Sequence, residues 1–155
     1  MFERCHGPRE VAYRYSALGF PVELTFNRAS FVTTASLGAV VMPPELGRAA
    51  RQWLGDTATV PIITHARAGR EWVFVVGPNR GRGLGARSLA VLRQDGVRML
   101  AIGSRVWLPM SDSPTGWHWA SPPREGARSV PPRTFVLQAA QHVLNDRALS
   151  SARRC

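Results

Sequence analysis

The most constraining stretch of this chain is Trp72-Val73-Phe74-Val75-Val76, an apolar run that stops at Gly77-Pro78. Such a run, bounded by turn residues, reads as a strand covered on both faces. Just before it stands a second β-branched run, Val60-Pro61-Ile62-Ile63-Thr64, which ends in a polar elbow, His65-Ala66-Arg67-Ala68-Gly69-Arg70. Gly69 supplies a residue that tolerates positive φ, so the two runs predict a central hairpin with Arg67 and Arg70 at its rim. The rest of the chain must supply layers to cover it.

The flanking sequence supplies them. Glu10–Leu18 has the period of a short amphipathic helix closed by Gly19, and Pro21–Phe26 reads as a strand. Ser36–Met42 is a second strand stopped by Pro43-Pro44, and Glu45–Leu54 is a helix with Leu46, Ala49, Ala50, Trp53 and Leu54 on one face and Arg48 and Arg51 outside it. Asn79–Gly85 is a basic glycine loop without P-loop spacing, followed by a helix over Ser88–Gln94. Val97–Ile102 and Arg105–Leu108 read as strands around a tight turn at Gly103-Ser104. Pro109–Pro123 reads as irregular; Trp117-His118-Trp119 within it could stack on bases or cover a sheet end. Gly126–Pro132 is a linker, Thr134 can cap a last helix reaching Leu149, and 150–155 is a basic, frayed tail. The order predicts one α+β domain over 1–149, a mixed and mainly antiparallel sheet with helices on one side.

At 155 residues with 45% hydrophobic content, the chain is long enough for a genuine core. Its net charge is +10, and all 20 basic residues are arginine. A GC-rich genome explains arginine in place of lysine, but not the excess over acid. A surface this positive favours polyanions, and arginine suits bidentate phosphate contacts. Cys5 and Cys155 are too few for a disulfide framework and lie in no Cys/His cluster suited to zinc. Neither a bilayer-length apolar run nor a signal peptide is visible, so the expectation is a cytoplasmic protein without metal or cofactor.

A family resemblance spans about Val11 to Pro123. Val11-Ala12-Tyr13 through Gly19-Phe20-Pro21-Val22 is similar to the opening helix and G-[WF]-P-V strand of primase-polymerase domains. These are the bifunctional DNA primase/polymerase N-terminal type of the archaeo-eukaryotic primase superfamily, found in actinobacterial and mobile-element proteins. Leu37–Met42 resembles the strand delivering the first metal-binding carboxylates, and Ala68–Phe74 resembles the family's G-G-R-H-L-Y-F strand. Gly96-Val97, Gly103, Val106, Pro109, Ser111, Gly116 and Trp119 match its late segment in order. The resemblance implies a nucleotidyltransferase fold acting in DNA replication.

The chemistry departs from that pattern. Nucleotidyl transfer needs clustered carboxylates to hold divalent metals. Where the family has D-x-D this chain reads Pro43-Pro44-Glu45; its strand histidine falls at Glu71 and its third acid near Arg98. The resemblance therefore implies an inactive member that binds nucleic acid, weakly and without sequence preference. Arg67, Arg70, Arg80, Arg82, Arg87 and Arg98 are the candidate phosphate contacts. The competing expectations are a small regulatory domain with a protein partner and a basic ribosome-dependent RNase-type toxin using His65, Glu71 and arginines.

Overall fold

The computed structural model describes residues 1–55, 60–124 and 130–153. Its elements are α1 (Pro8–Ala17), β1 (Val22–Thr25), β2 (Arg28–Val32), β3 (Gly38–Met42), α2 (Pro44–Leu54), β4 (Ile62–His65) and β5 (Trp72–Val76). These are followed by α3 (Ala86–Gln94), β6 (Arg98–Met99), β7 (Arg105–Trp107), β8 (Trp117–Ser121) and α4 (Arg133–Ala152). The fold is α+β, with helices packed on two antiparallel sheets.

The expected hairpin is the centre of the larger sheet. Its strand order is β6-β3-β5-β4-β8, with Ile62 opposite Phe74 and Met42 opposite Trp72. Alternate residues of β3, β4 and β5 serve different cores, which explains their unbroken apolar runs. On one face Val40, Met42, Ile62, Phe74 and Val76 pack against α2, α3 and α4 through Leu46, Leu92 and Val136. On the other, Ala39, Ile63 and Val75 pack against Val11 and Tyr15 of α1 and against Phe31 and Val106. Phe31 and Val106 belong to the smaller sheet, order β1-β2-β7. Close approaches demand glycine at two positions beside the central strand β5. A Cβ on Gly47 of α2 would stand 2.7 Å from the Trp72 side chain, and one on Gly77 would stand 2.9 Å from the Val130 carbonyl.

Several expectations are corrected. The strands form two sheets, so helices do not lie on one side of a single sheet; every ladder is antiparallel, and a parallel bridge joins Gly77 to Pro132. Residues 97–108 are not a hairpin. β6 pairs with β3 and β7 with β2, because Val97 belongs to one core and Val106 to the other. Thr33 ties that crossing, its hydroxyl donating to the Ala101 carbonyl at 2.6 Å. The segment read as irregular contains β8, an edge strand on β4. Thr134 does not cap α4, which starts after Pro132; its buried hydroxyl donates to the Arg80 carbonyl at 3.1 Å. α4 continues to Ala152, so residues 150–152 are helical and not frayed; 154–155 lie outside the described residues, as do residues 126–129 of the expected linker. Among the described residues, no helix is long and apolar enough to cross a membrane.

Candidate nucleic-acid interface

The elbow joins β4 to β5 through residues 66–71, with Gly69 at φ 83°. The Arg67 backbone N–H donates to His65 Nδ1 at 2.9 Å, so the neutral imidazole carries its proton on Nε2. The ring meets Trp117 edge-on, centroids 4.9 Å apart at 79°. Loss of hydration, then the guanidinium groups of Arg70 and Arg67, and then His118, lower the His65 pKa below its ordinary value, which favours the neutral ring at neutral pH.

β8 completes this surface. Its Trp117 is register partner to His65, and the Ala66 N–H donates to the Gly116 carbonyl at 3.1 Å. Trp117 keeps 39% exposure, leaving much of the indole open to solvent. Arg67 and Arg70 are exposed, and neither has an acidic partner among the described residues. Two unpaired guanidinium groups beside an accessible indole can bind phosphate oxygens and stack a base.

The positions that resemble the family's metal site also gather at this end of the sheet. Met42 is opposite Trp72, and Val41 is opposite both Val73 and Arg98. The register therefore brings Pro43 and Glu71, the residues just beyond Met42 and Trp72, to the same end as Arg98. Arg98 Nη2 donates to Glu71 Oε2 at 2.7 Å, both side chains half-exposed. Glu45 is held by Arg48 at 3.0 Å. Such exposed pairs contribute about 0–1 kcal/mol to stability, so their consequence is electrostatic. Glu71 and Glu45 are thus each paired with an arginine. No group of three His, Cys, Asp or Glu side chains suited to a metal ion occurs among the described residues.

The remaining candidate arginines lie elsewhere. The elbow precedes β5 whereas Arg80, Arg82 and Arg87 follow it, so the two sets occupy opposite ends of a strand roughly 13 Å long. Arg80 is fixed near the start of α4 by Thr134, and Arg87 lies in the first turn of α3. Of the six, only Arg67 and Arg70 combine exposure, absence of an acidic partner among the described residues and a neighbouring aromatic. The sequence offers Trp117 and Trp119 alike as stacking or sheet-covering residues; the structure separates them, with Trp117 39% exposed at the rim and Trp119 packed against the core. No family model, curated protein or solved structure matches the chain.

Proposed function

We propose that this chain is a non-catalytic, primase-polymerase-like domain that binds nucleic acid through its elbow. The observation carrying this reading is the pair Arg67 and Arg70, without acidic partners among the described residues, beside the exposed indole of Trp117. Guanidinium groups supply phosphate contacts whatever the sequence, and the indole offers a face on which any base can stack. The ion pair of Arg98 with Glu71 supports the non-catalytic part, since a guanidinium occupies a position where the family would hold a metal.

The test is fluorescence anisotropy with single-stranded DNA, duplex DNA and RNA at three salt concentrations. Each phosphate contact contributes roughly 0.7 to 0.9 to the slope of log affinity against log salt. Arg67→Ala/Arg70→Ala should flatten the slope by up to about two contacts' worth, and Trp117→Ala should weaken single-strand binding by about 1–3 kcal/mol. Arg82→Ala/Arg87→Ala, at the other end of β5, should leave it unchanged. An unchanged slope in the elbow variant defeats the reading.

A second reading, a docking domain for a protein partner, is favoured by the groove between α2 and α4, where Trp53 is 43% exposed beside His142. It predicts little nucleic-acid binding at physiological salt.

A further inference from the structure

On the helix-covered face of the larger sheet, a concave and basic site opens between the C-terminal half of α2, the start of β4 and the residues after β8. It encloses about 380 Å³, within the range of roughly 300–1,000 Å³ typical of small-molecule sites. Its base is apolar: Leu54, Ile62 and the 8%-exposed indole of Trp72. Gly47 makes that base possible, because any larger residue would collide with Trp72 and lift α2 off the sheet.

Three guanidinium-bearing side chains line the walls, Arg48 and Arg51 from α2 and Arg124 from the segment after β8, and no carboxylate is among the described residues that line it. Arg48 is engaged by Glu45 outside the pocket at 3.0 Å. Arg51 and Arg124 have no acidic partner among the described residues. The C-terminal end of α2 contributes about half a negative charge, which complements Arg51 but cannot offset two full cations held together. Like charges gathered around an apolar base gain most from a ligand that is dianionic at one end and flat and apolar at the other. The guanidinium fork matches a phosphate bidentately.

We infer that this pocket binds a phosphomonoester bearing a planar apolar group. Neither the elbow arginines nor Pro43, Glu71 or Arg98 are among its lining residues, so Arg51 and Arg124 are cations distinct from those of the proposed interface.

The experiment is isothermal titration calorimetry with phenyl phosphate and with inorganic phosphate. Phenyl phosphate should saturate one site and bind about tenfold tighter than inorganic phosphate, because its ring covers the apolar base. Arg51→Ala/Arg124→Ala should weaken it by at least about tenfold, as expected for losing charge-assisted contacts. Arg67→Ala/Arg70→Ala should bind it as the parent does. Thermal melts check folding; Arg124→Ala alone, placed outside any helix, should weaken binding severalfold if the double variant melts early. A 5′-phosphorylated oligonucleotide that displaces phenyl phosphate, where its 5′-hydroxyl form does not, assigns the pocket to strand ends. Displacement by neither assigns it to free small molecules, and both results support the pocket. Displacement by both forms, no saturation up to roughly 10 mM, or equal affinity in the folded arginine variants would overturn it.

Discussion

Tyr15→Phe isolates one buried hydroxyl that ties the edge strand to the core. Tyr15 is fully buried, its ring within 5.3 Å of Phe2, 5.9 Å of Phe20 and 6.2 Å of Trp119. Its hydroxyl donates to the Pro109 carbonyl at 2.6 Å and accepts from Trp119 Nε1 at 2.8 Å. Burial raises the phenol pKa well above its ordinary value, so the donor persists across the neutral range. Phenylalanine preserves the ring contacts and deletes both hydrogen bonds. A buried acceptor left unpaired costs about 1–3 kcal/mol, and the half-buried indole N–H costs less because water can reach it. The expected loss is about 2 kcal/mol, or roughly 4–8 °C in Tm for a chain of this length. Urea unfolding should show a lower midpoint at unchanged slope, since the surface exposed is the same. Hydrogen exchange should quicken in β8 more than in β3, because Trp119 loses its anchor. Trp119→Phe in the Tyr15→Phe background should cost less than in the parent, as no indole N–H remains to be orphaned. A loss below about 0.5 kcal/mol, or strictly additive substitutions, would show that the hydroxyl pair does not hold this strand.

Three further outcomes follow from the same packing. Phe74→Ala, at a completely buried position in the central strand, should cost roughly 3–5 kcal/mol by urea unfolding. Phe26 and Asn27 form the β1–β2 turn at φ 50° and 58°, and the Phe26 ring is 92% exposed; Phe26→Asn should raise stability by about 0.5–1 kcal/mol, because asparagine tolerates this backbone and no packing is lost. The purified protein should neither extend nor synthesise a primer with Mg²⁺ or Mn²⁺; metal-dependent incorporation abolished by Glu45→Gln would revive an active enzyme.

The parts of the fold legible in sequence were those where local pattern and burial coincide. β3 and β5 are covered on both faces, and their apolar runs announce it. β2 was not visible because Arg28-Ala29-Ser30-Phe31-Val32 mixes an exposed arginine with small residues, and its turn contains no glycine. Ser30 is buried there through pairing with β7, whose register partner Trp107 is distant in sequence. β6 and β7 looked like a hairpin because local sequence does not encode which of two sheets a short strand joins. β8 carries no apolar run; its alternation is between aromatic rings, and its register depends on β4 and on Tyr15 far upstream. The elbow arginines were legible as rim residues. That Arg98 would be engaged by Glu71 was not, since the two are 27 positions apart and meet only through β3.

Under the proposed function, one arrangement at the elbow end of the sheet disfavours cations and favours polyanions. Arg98 and Glu71 cancel, Glu45 and Arg48 cancel, and His65 favours its neutral ring, so Arg67 and Arg70 set the sign of the local field. A divalent ion placed beside Glu71 would meet Arg98 at contact distance, and no group of three His, Cys, Asp or Glu suited to a metal stands among the described residues. Reversing Arg98 to an acid removes the repulsion but leaves two carboxylates where in-line transfer needs a cluster able to hold bridging metals. Pro43 cannot contribute a ligand, and its ring fills the space that a Cβ on Gly96 would enter at 2.9 Å. Changing that position to an acid would remove this packing contact as well as add charge. Under the proposed function, the barrier to catalysis is thus spread over packing and charge at several positions, whereas phosphate binding needs only the exposed guanidinium groups at this end.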